Sequence, residues 1–146
     1  MLRQKIEKEI EQLDIRWNKL IFLCLNNLTI DLKELYNGEL YEININLIVS
    51  EALIQIPKNK YPLQIGNIIN NSLQTQNELY YLNYIDILFS PELRVDPIRL
   101  LENLSKSNKI IVNWPGNYVD ETLTYAEYGH PEYYECHDYK GKVIEN

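Results

Sequence analysis

The sequence predicts an α/β fold of three layers, with a mostly parallel sheet of about five strands covered by helices on both faces. Three observations carry this. Short unbroken apolar runs recur along the chain, as in strands buried on both faces. Stretches with apolar residues every three to four positions separate them, which is helical spacing. The separating stretches are long enough for the crossovers that parallel neighbours need.

In chain order, Leu2, Ile6, Ile10, Leu13 and Trp17 form one stripe and predict an amphipathic helix over 2–17. The run Leu20–Leu25 predicts a strand buried on both sides. Leu28, Leu32 and Leu35 predict a helix over 28–36, capped by Asn27 and ended by Asn37-Gly38. Residues 41–47 alternate and predict a second, more exposed strand. A short helix from Ser50 to Ile54 stops before Pro57. Pro62 to Leu73 predicts a further helix, with Pro62 in its first turn and Ile65, Ile68, Ile69 and Leu73 inward. Leu79–Asn83 is the third strand. Asp96-Pro97 opens a helix that buries Ile98, Leu101 and Leu104. Lys109–Asn113 is the fourth strand, closed by Trp114-Pro115-Gly116. Residues 117–131 read as a loop and Tyr133–His137 as a last edge strand.

The 146 residues fit one domain, 1–146, with enough chain to fold on a single core. Cys24 and Cys136 make no disulfide framework and fit a reducing compartment. No apolar stretch suits a transmembrane helix, and the charged start Met1–Glu7 is no signal peptide, so a cytoplasmic protein without membrane contact is expected. The net charge is −7, and the cations are dispersed along the sequence. Such a chain is repelled by phosphate backbones, which argues against direct nucleic-acid binding.

In open α/β sheets a ligand sits beyond the carboxyl ends of the strands. A phosphate cradle after the first strand needs glycines, a lysine and a hydroxyl, G-x-x-x-x-G-K-[ST]. Here the stretch is Leu25-Asn26-Asn27-Leu28-Thr29-Ile30-Asp31-Leu32. Both glycines are missing, Asp31 stands at the lysine position and Leu32 at the hydroxyl position. Thr29 and Ile30 resist the positive φ an anion nest uses. A Walker B strand ends in a magnesium-binding acid; here the third strand ends in neutral Asn83, with Asp86 three residues on.

His130, Glu132, Cys136, His137 and Asp138 bring metal-ligand chemistry to the tail, and on one strand His130, Glu132, Cys136 and Asp138 share a face. The paired spacings of structural zinc sites are absent and Pro131 interrupts the segment. Cys136 and His137 are adjacent, so on a strand they point apart and form no nucleophilic pair. The expectation is no metal, no cofactor and no catalytic residue. The tail is acidic and rich in Tyr and Trp, which favours a protein interface over base stacking; a loop packed on its own sheet explains the aromatics equally well.

Several segments together resemble the BrxF-like small P-loop proteins of type 3 BREX phage-defence systems. They are residues 41–47, residues 85–89 followed by 96–101, and above all Leu123-Thr124-Tyr125-Ala126-Glu127-Tyr128-Gly129-His130-Pro131-Glu132-Tyr133. The resemblance spans about Leu20 to Val143. It implies a P-loop NTPase-like fold and a place in a bacterial anti-phage complex, beside the system's large ATPase. The family's P-loop and third-strand acid are replaced here, so what is implied is a non-catalytic subunit acting through protein contacts. Tyr125, Glu127, Gly129, His130, Pro131, Glu132 and Tyr133 are then a candidate contact motif. Two other readings stay open: a diverged NTPase completed by Lys33 or by a partner, and a nucleic-acid-binding accessory factor.

Overall fold

The computed structural model of the chain describes residues 1–26, 30–73 and 78–146. Five short strands form one parallel sheet: β1 (Leu20–Cys24), β2 (Leu40–Asn44), β3 (Leu79–Asn83), β4 (Lys109–Asn113) and β8 (Lys142–Glu145). Their order is β2-β3-β4-β1-β8. β1 is buried at every position, as an unbroken apolar run requires, because alternate residues feed opposite cores. Ile21 and Leu23 join Ile111 and Ile144 under α1 (Leu2–Gln12), which contributes Ile6 and Ile10. Leu20 and Phe22 face the other way with Leu82 and Val112. That face is covered by α2 (Ile45–Leu53), α3 (Tyr61–Ser72) and α4 (Pro97–Leu104) through Val49, Ile65, Ile69, Ile98 and Leu101. The three-layer α/β arrangement expected from the periodicity is therefore present.

Local chemistry sets most boundaries. Asp96 accepts a hydrogen bond from the Arg99 amide and Pro97 takes the first helical position, as predicted for α4. The second strand is shorter than predicted. Asn44 caps α2 by accepting from the Leu47 amide at 3.0 Å, so the chain turns helical at Ile45, well before Ser50. The predicted helix over 2–17 stops at Gln12, followed by a 3₁₀ turn at Leu13–Ile15. Arg16 is extended, and Trp17, expected inward, is 78% exposed. Buried Asn18 takes the inward place, bonding the Glu102 carbonyl at 3.0 Å. Of the predicted helix over 28–36, the described part is a single 3₁₀ turn, Leu32–Leu35, capped by Asp31. The proposed cap Asn27 lies outside the described residues, as do Leu28 and Thr29.

The tail departs most from expectation. Residues 117–131 are not all loop: β5 (Asn117–Val119) and β6 (Thr122–Tyr125) make a hairpin, joined by β7 (Tyr134–Cys136) in a second, antiparallel sheet. Asp120 and Glu121 both have positive φ, the geometry of a tight hairpin turn. The last edge strand of the parallel sheet is β8, where the sequence had suggested Tyr133–His137.

A polar cleft at the carboxyl edge of the sheet

Along the α1-side face of β2 and β3, reaching the carboxyl edge at Asn83 and Asn113, lies a cleft of about 470 Å³. Its floor and walls include Asp31, Lys33, Glu42, Tyr81, Asn83 and Asn113. In each strand the polar residue sits on the α1 side of the pleat, opposite the residues that feed the α2–α4 core. Asn83 is nearly buried and links the cleft: its amide nitrogen donates to Glu42 at 2.5 Å and its oxygen accepts from Asn113 at 2.9 Å. Tyr81 lies alongside. Burial, then the Glu42 carboxylate and Tyr84, push its phenol up to about 12, so it stays neutral at physiological pH. Tyr84 follows Asn83 with φ of 54°, a conformation uncommon outside glycine, which turns the chain out of β3.

The stretch compared above with a phosphate loop, residues 25–32, is only partly in this cleft. Ile30, Asp31 and Leu32 line it. The Asp31 carboxylate accepts from the Lys33 amide at 3.0 Å and so serves as a turn cap. Leu25 and Ile30 pack against the α1-side core, and Leu32 is buried in it. The amide of Asn26 donates to the Asn146 side chain at 2.8 Å, which donates back to the Asn26 carbonyl at 3.0 Å. The Asn26 amide, two residues past β1, is thus already bonded and does not point at an open anion site. Asn27, Leu28 and Thr29 lie outside the described residues.

Asp86 does not join Asn83. It accepts from the Tyr125 hydroxyl at 2.9 Å and ties the second sheet to the 3₁₀ turn Asp86–Phe89. Tyr125 stacks on Phe89 at 3.9 Å, and Phe89 also meets Trp114 and Tyr134 edge-on. Burial and the Asp86 hydrogen bond push Tyr125 up to about 12. Trp114 donates its indole N–H to the Thr124 carbonyl at 3.0 Å, and Tyr134 bonds the Asp96 carboxylate. Most tail aromatics are therefore spent seating the second sheet on the core, as large apolar rings with polar tips do.

The remainder of the contact motif stands out from the surface. The backbone between β6 and β7 is closed by bonds from the His130 amide to the Glu127 carbonyl and from the Tyr133 amide to the His130 carbonyl. His130 Nδ1 accepts from the Glu132 amide at 3.0 Å. Gly129 takes φ of 93° with nothing near a Cβ there. Tyr128 is 91% exposed and rests edge-on against Tyr133 at 5.5 Å; Glu127 and Pro131 are also exposed. Between 117 and 139 stand Asp120, Glu121, Glu127, Glu132, Glu135 and Asp138 without one lysine or arginine, so this lobe carries most of the net charge of −7.

The five tail residues with ligand chemistry do not converge. His130 lies in the loop, not on β7, and Cys136 is buried with its thiol against Asp138 at 3.3 Å. Burial raises the Cys136 thiol, which suppresses its nucleophilic form. Among the described residues no group of three or more His, Cys, Asp or Glu side chains is placed to hold a metal. Glu42, Tyr81, Tyr84 and Asn113 were missed by sequence reasoning. The one available signal was that β2, β3 and β4 all end in Asn.

What the fold and cleft define is an α/β protein with a parallel five-stranded sheet and a polar, partly acidic carboxyl edge. No family model, curated protein or solved structure matches the chain. Among the described residues no helix is long and apolar enough to cross a membrane.

Proposed function

We propose that this chain is a non-catalytic, P-loop-like subunit of a bacterial anti-phage complex of the BREX type, working through contacts with protein partners that include a large ATPase. The observation that carries the non-catalytic part is the state of the cleft: Asn83 is bonded to Glu42 and Asn113, and Asp31 is used as a cap. A triphosphate would meet carboxylates there, with Lys33 the one lining cation among the described residues. The acidic loop around Tyr128, closed by two backbone hydrogen bonds, supports a protein contact, because an exposed aromatic suits an interface centre. The resemblance of residues 123–133 supplies the defence context.

The test has two arms. Calorimetric titration with ATP and Mg²⁺ is expected to give no saturable heat at millimolar nucleotide. Purification from the native operon is expected to bring down a large ATPase, and Tyr128→Ala with Glu132→Lys to release it. Recovery of the chain alone under mild salt overturns the reading.

A second reading, a diverged nucleotide-binding subunit, has Lys33 at the cleft in its favour. Saturable ATP binding that Lys33→Ala abolishes decides for it.

A further inference from the structure

We propose that the free edge of β8, with the groove beside it, binds an extended carboxylate-bearing segment of another protein by adding it as a sixth parallel-sheet neighbour. Among the described residues β8 is the outermost strand and pairs only with β1. Alternate residues of such a strand present unpaired backbone N–H and C=O groups outward, ready for a further strand. Next to this edge runs α1. Lys5 and Lys8 of the helix and Lys142 to Glu145 of the strand enclose a groove of about 400 Å³.

The charge of the groove selects the occupant. Glu9, on the same helix, is already taken by Arg16 at 2.7 Å and by Lys142 at 3.7 Å. Lys5 and Lys8 enter no ion pair among the described residues, and both are exposed. The lining sets Lys5, Lys8 and Lys142 against Glu9 and Glu145, so in a chain of net charge −7 this groove is locally cationic. Lys142 and Ile144 face α1, whereas Val143 packs toward the other core. An incoming strand therefore meets ammonium groups on its α1 side and Val143 with Glu145 on the other. The pattern that fits alternates carboxylates with β-branched residues.

A second copy fits less well. Antiparallel pairing of two β8 edges about a two-fold axis keeps the α1 layers on one face and brings Lys5, Lys8 and Lys142 of both copies together. Such edge lysines discourage self-association. The opposite sheet edge, β2, carries Glu42, but that carboxylate is engaged by Asn83.

The probe is a short blocked peptide alternating glutamate and valine, added to the full chain. Hydrogen exchange is expected to slow at amides within Lys142–Glu145 and not in β2. The same peptide with alternate amides N-methylated, or with lysine for glutamate, is expected to give no protection. Lys5→Glu with Lys8→Glu is expected to weaken binding about tenfold, since each exposed pair is modest and both are reversed. Lys5→Gln with Lys8→Gln is the milder check, and circular dichroism confirms that both variants fold. Tyr128→Ala is expected to leave peptide binding unchanged, which separates this site from the loop of the proposed function. Absence of protection, equal protection by the lysine peptide, or unchanged binding by the lysine variants overturns the proposal. So does a peptide-free oligomer in which the same amides are already protected.

Discussion

Asn83→Asp tests the account of the cleft most directly. The substitution places an acid at the end of β3 and converts a hydrogen bond to Glu42 into a contact between two carboxylates. At the present 2.5 Å separation, Coulomb's law with an effective dielectric between 20 and 80 gives a repulsion of about 2–7 kcal/mol. Glu42 is exposed and can swing away, so the lower end applies. The Asn113 amide remains a donor and returns part of the loss. A net destabilisation of about 2 kcal/mol follows, which moves the urea midpoint down by roughly 1 M. One member of the new pair takes up a proton more readily than an ordinary carboxyl, because like charges disfavour ionisation. The raised pKa means that the deficit is largest near neutral pH and shrinks as the pH falls below about 5. Mg²⁺ offers the same relief, so it is expected to raise the midpoint of the variant and not of the parent. The assay is urea unfolding followed by tryptophan fluorescence, at neutral and mildly acidic pH, with and without Mg²⁺. A variant as stable as the parent at neutral pH, or a deficit that neither acid nor Mg²⁺ reduces, refutes the Glu42–Asn83–Asn113 reasoning.

Alkaline pH gives a second expectation. Burial, and next the Glu145 carboxylate, push the Cys24 thiol from 9.0 up to about 12, and Tyr81 and Tyr125 rise from 10.0 to about 12. The folded state keeps these protons while the unfolded chain releases them, so stability present below pH 9 is lost as the pH climbs toward 12. Each group contributes at most about 1.4 kcal/mol per pH unit, less for the partly exposed phenols. A urea midpoint that stays flat from neutral pH to about 11 contradicts this. Gly116→Ala is expected to cost about 2–4 kcal/mol, because a Cβ there lies 1.7 Å from the Thr124 carbonyl oxygen and the β5–β6 hairpin must move. Loss of the near-ultraviolet signal of adjacent Trp114 reports that movement. Glu102 is buried, holds Arg99 through both oxygens at 2.9 and 3.0 Å, and accepts the Lys140 amide at 2.7 Å. Glu102→Ala leaves that amide unpaired and is expected to cost about 3 kcal/mol by urea unfolding, with Glu102→Gln costing less.

Much of the main sheet was legible because burial on both faces writes itself into sequence. Leu79–Asn83 and Lys109–Asn113 need no partner to be recognised as strands, and Asp96-Pro97 announces a helix through its own backbone chemistry. The second strand failed for an equally local reason: an alternating pattern continues through residue 47, and the cap bond of Asn44 outweighs it. The tail could not be divided in this way. Its hairpin turn places Asp120 and Glu121 at positive φ without the glycine or asparagine that usually marks one, and β8 is too short to show a period.

The sequence by itself determined the α/β class and the absence of a G-x-x-x-x-G-K-[ST] pattern after β1, because both depend on residue types at fixed local spacing. Tertiary structure alone decided which polar groups meet. Glu42, Asn83 and Asn113 are far apart in the chain and become neighbours only when β2, β3 and β4 align in parallel register. Asp86 was turned from the cleft to Tyr125, and Lys5 and Lys8 were brought to the edge of β8, by the same cause. Side-chain contacts across a sheet are set by strand order, and strand order follows from burying both of its faces at once, which no local stretch of sequence encodes.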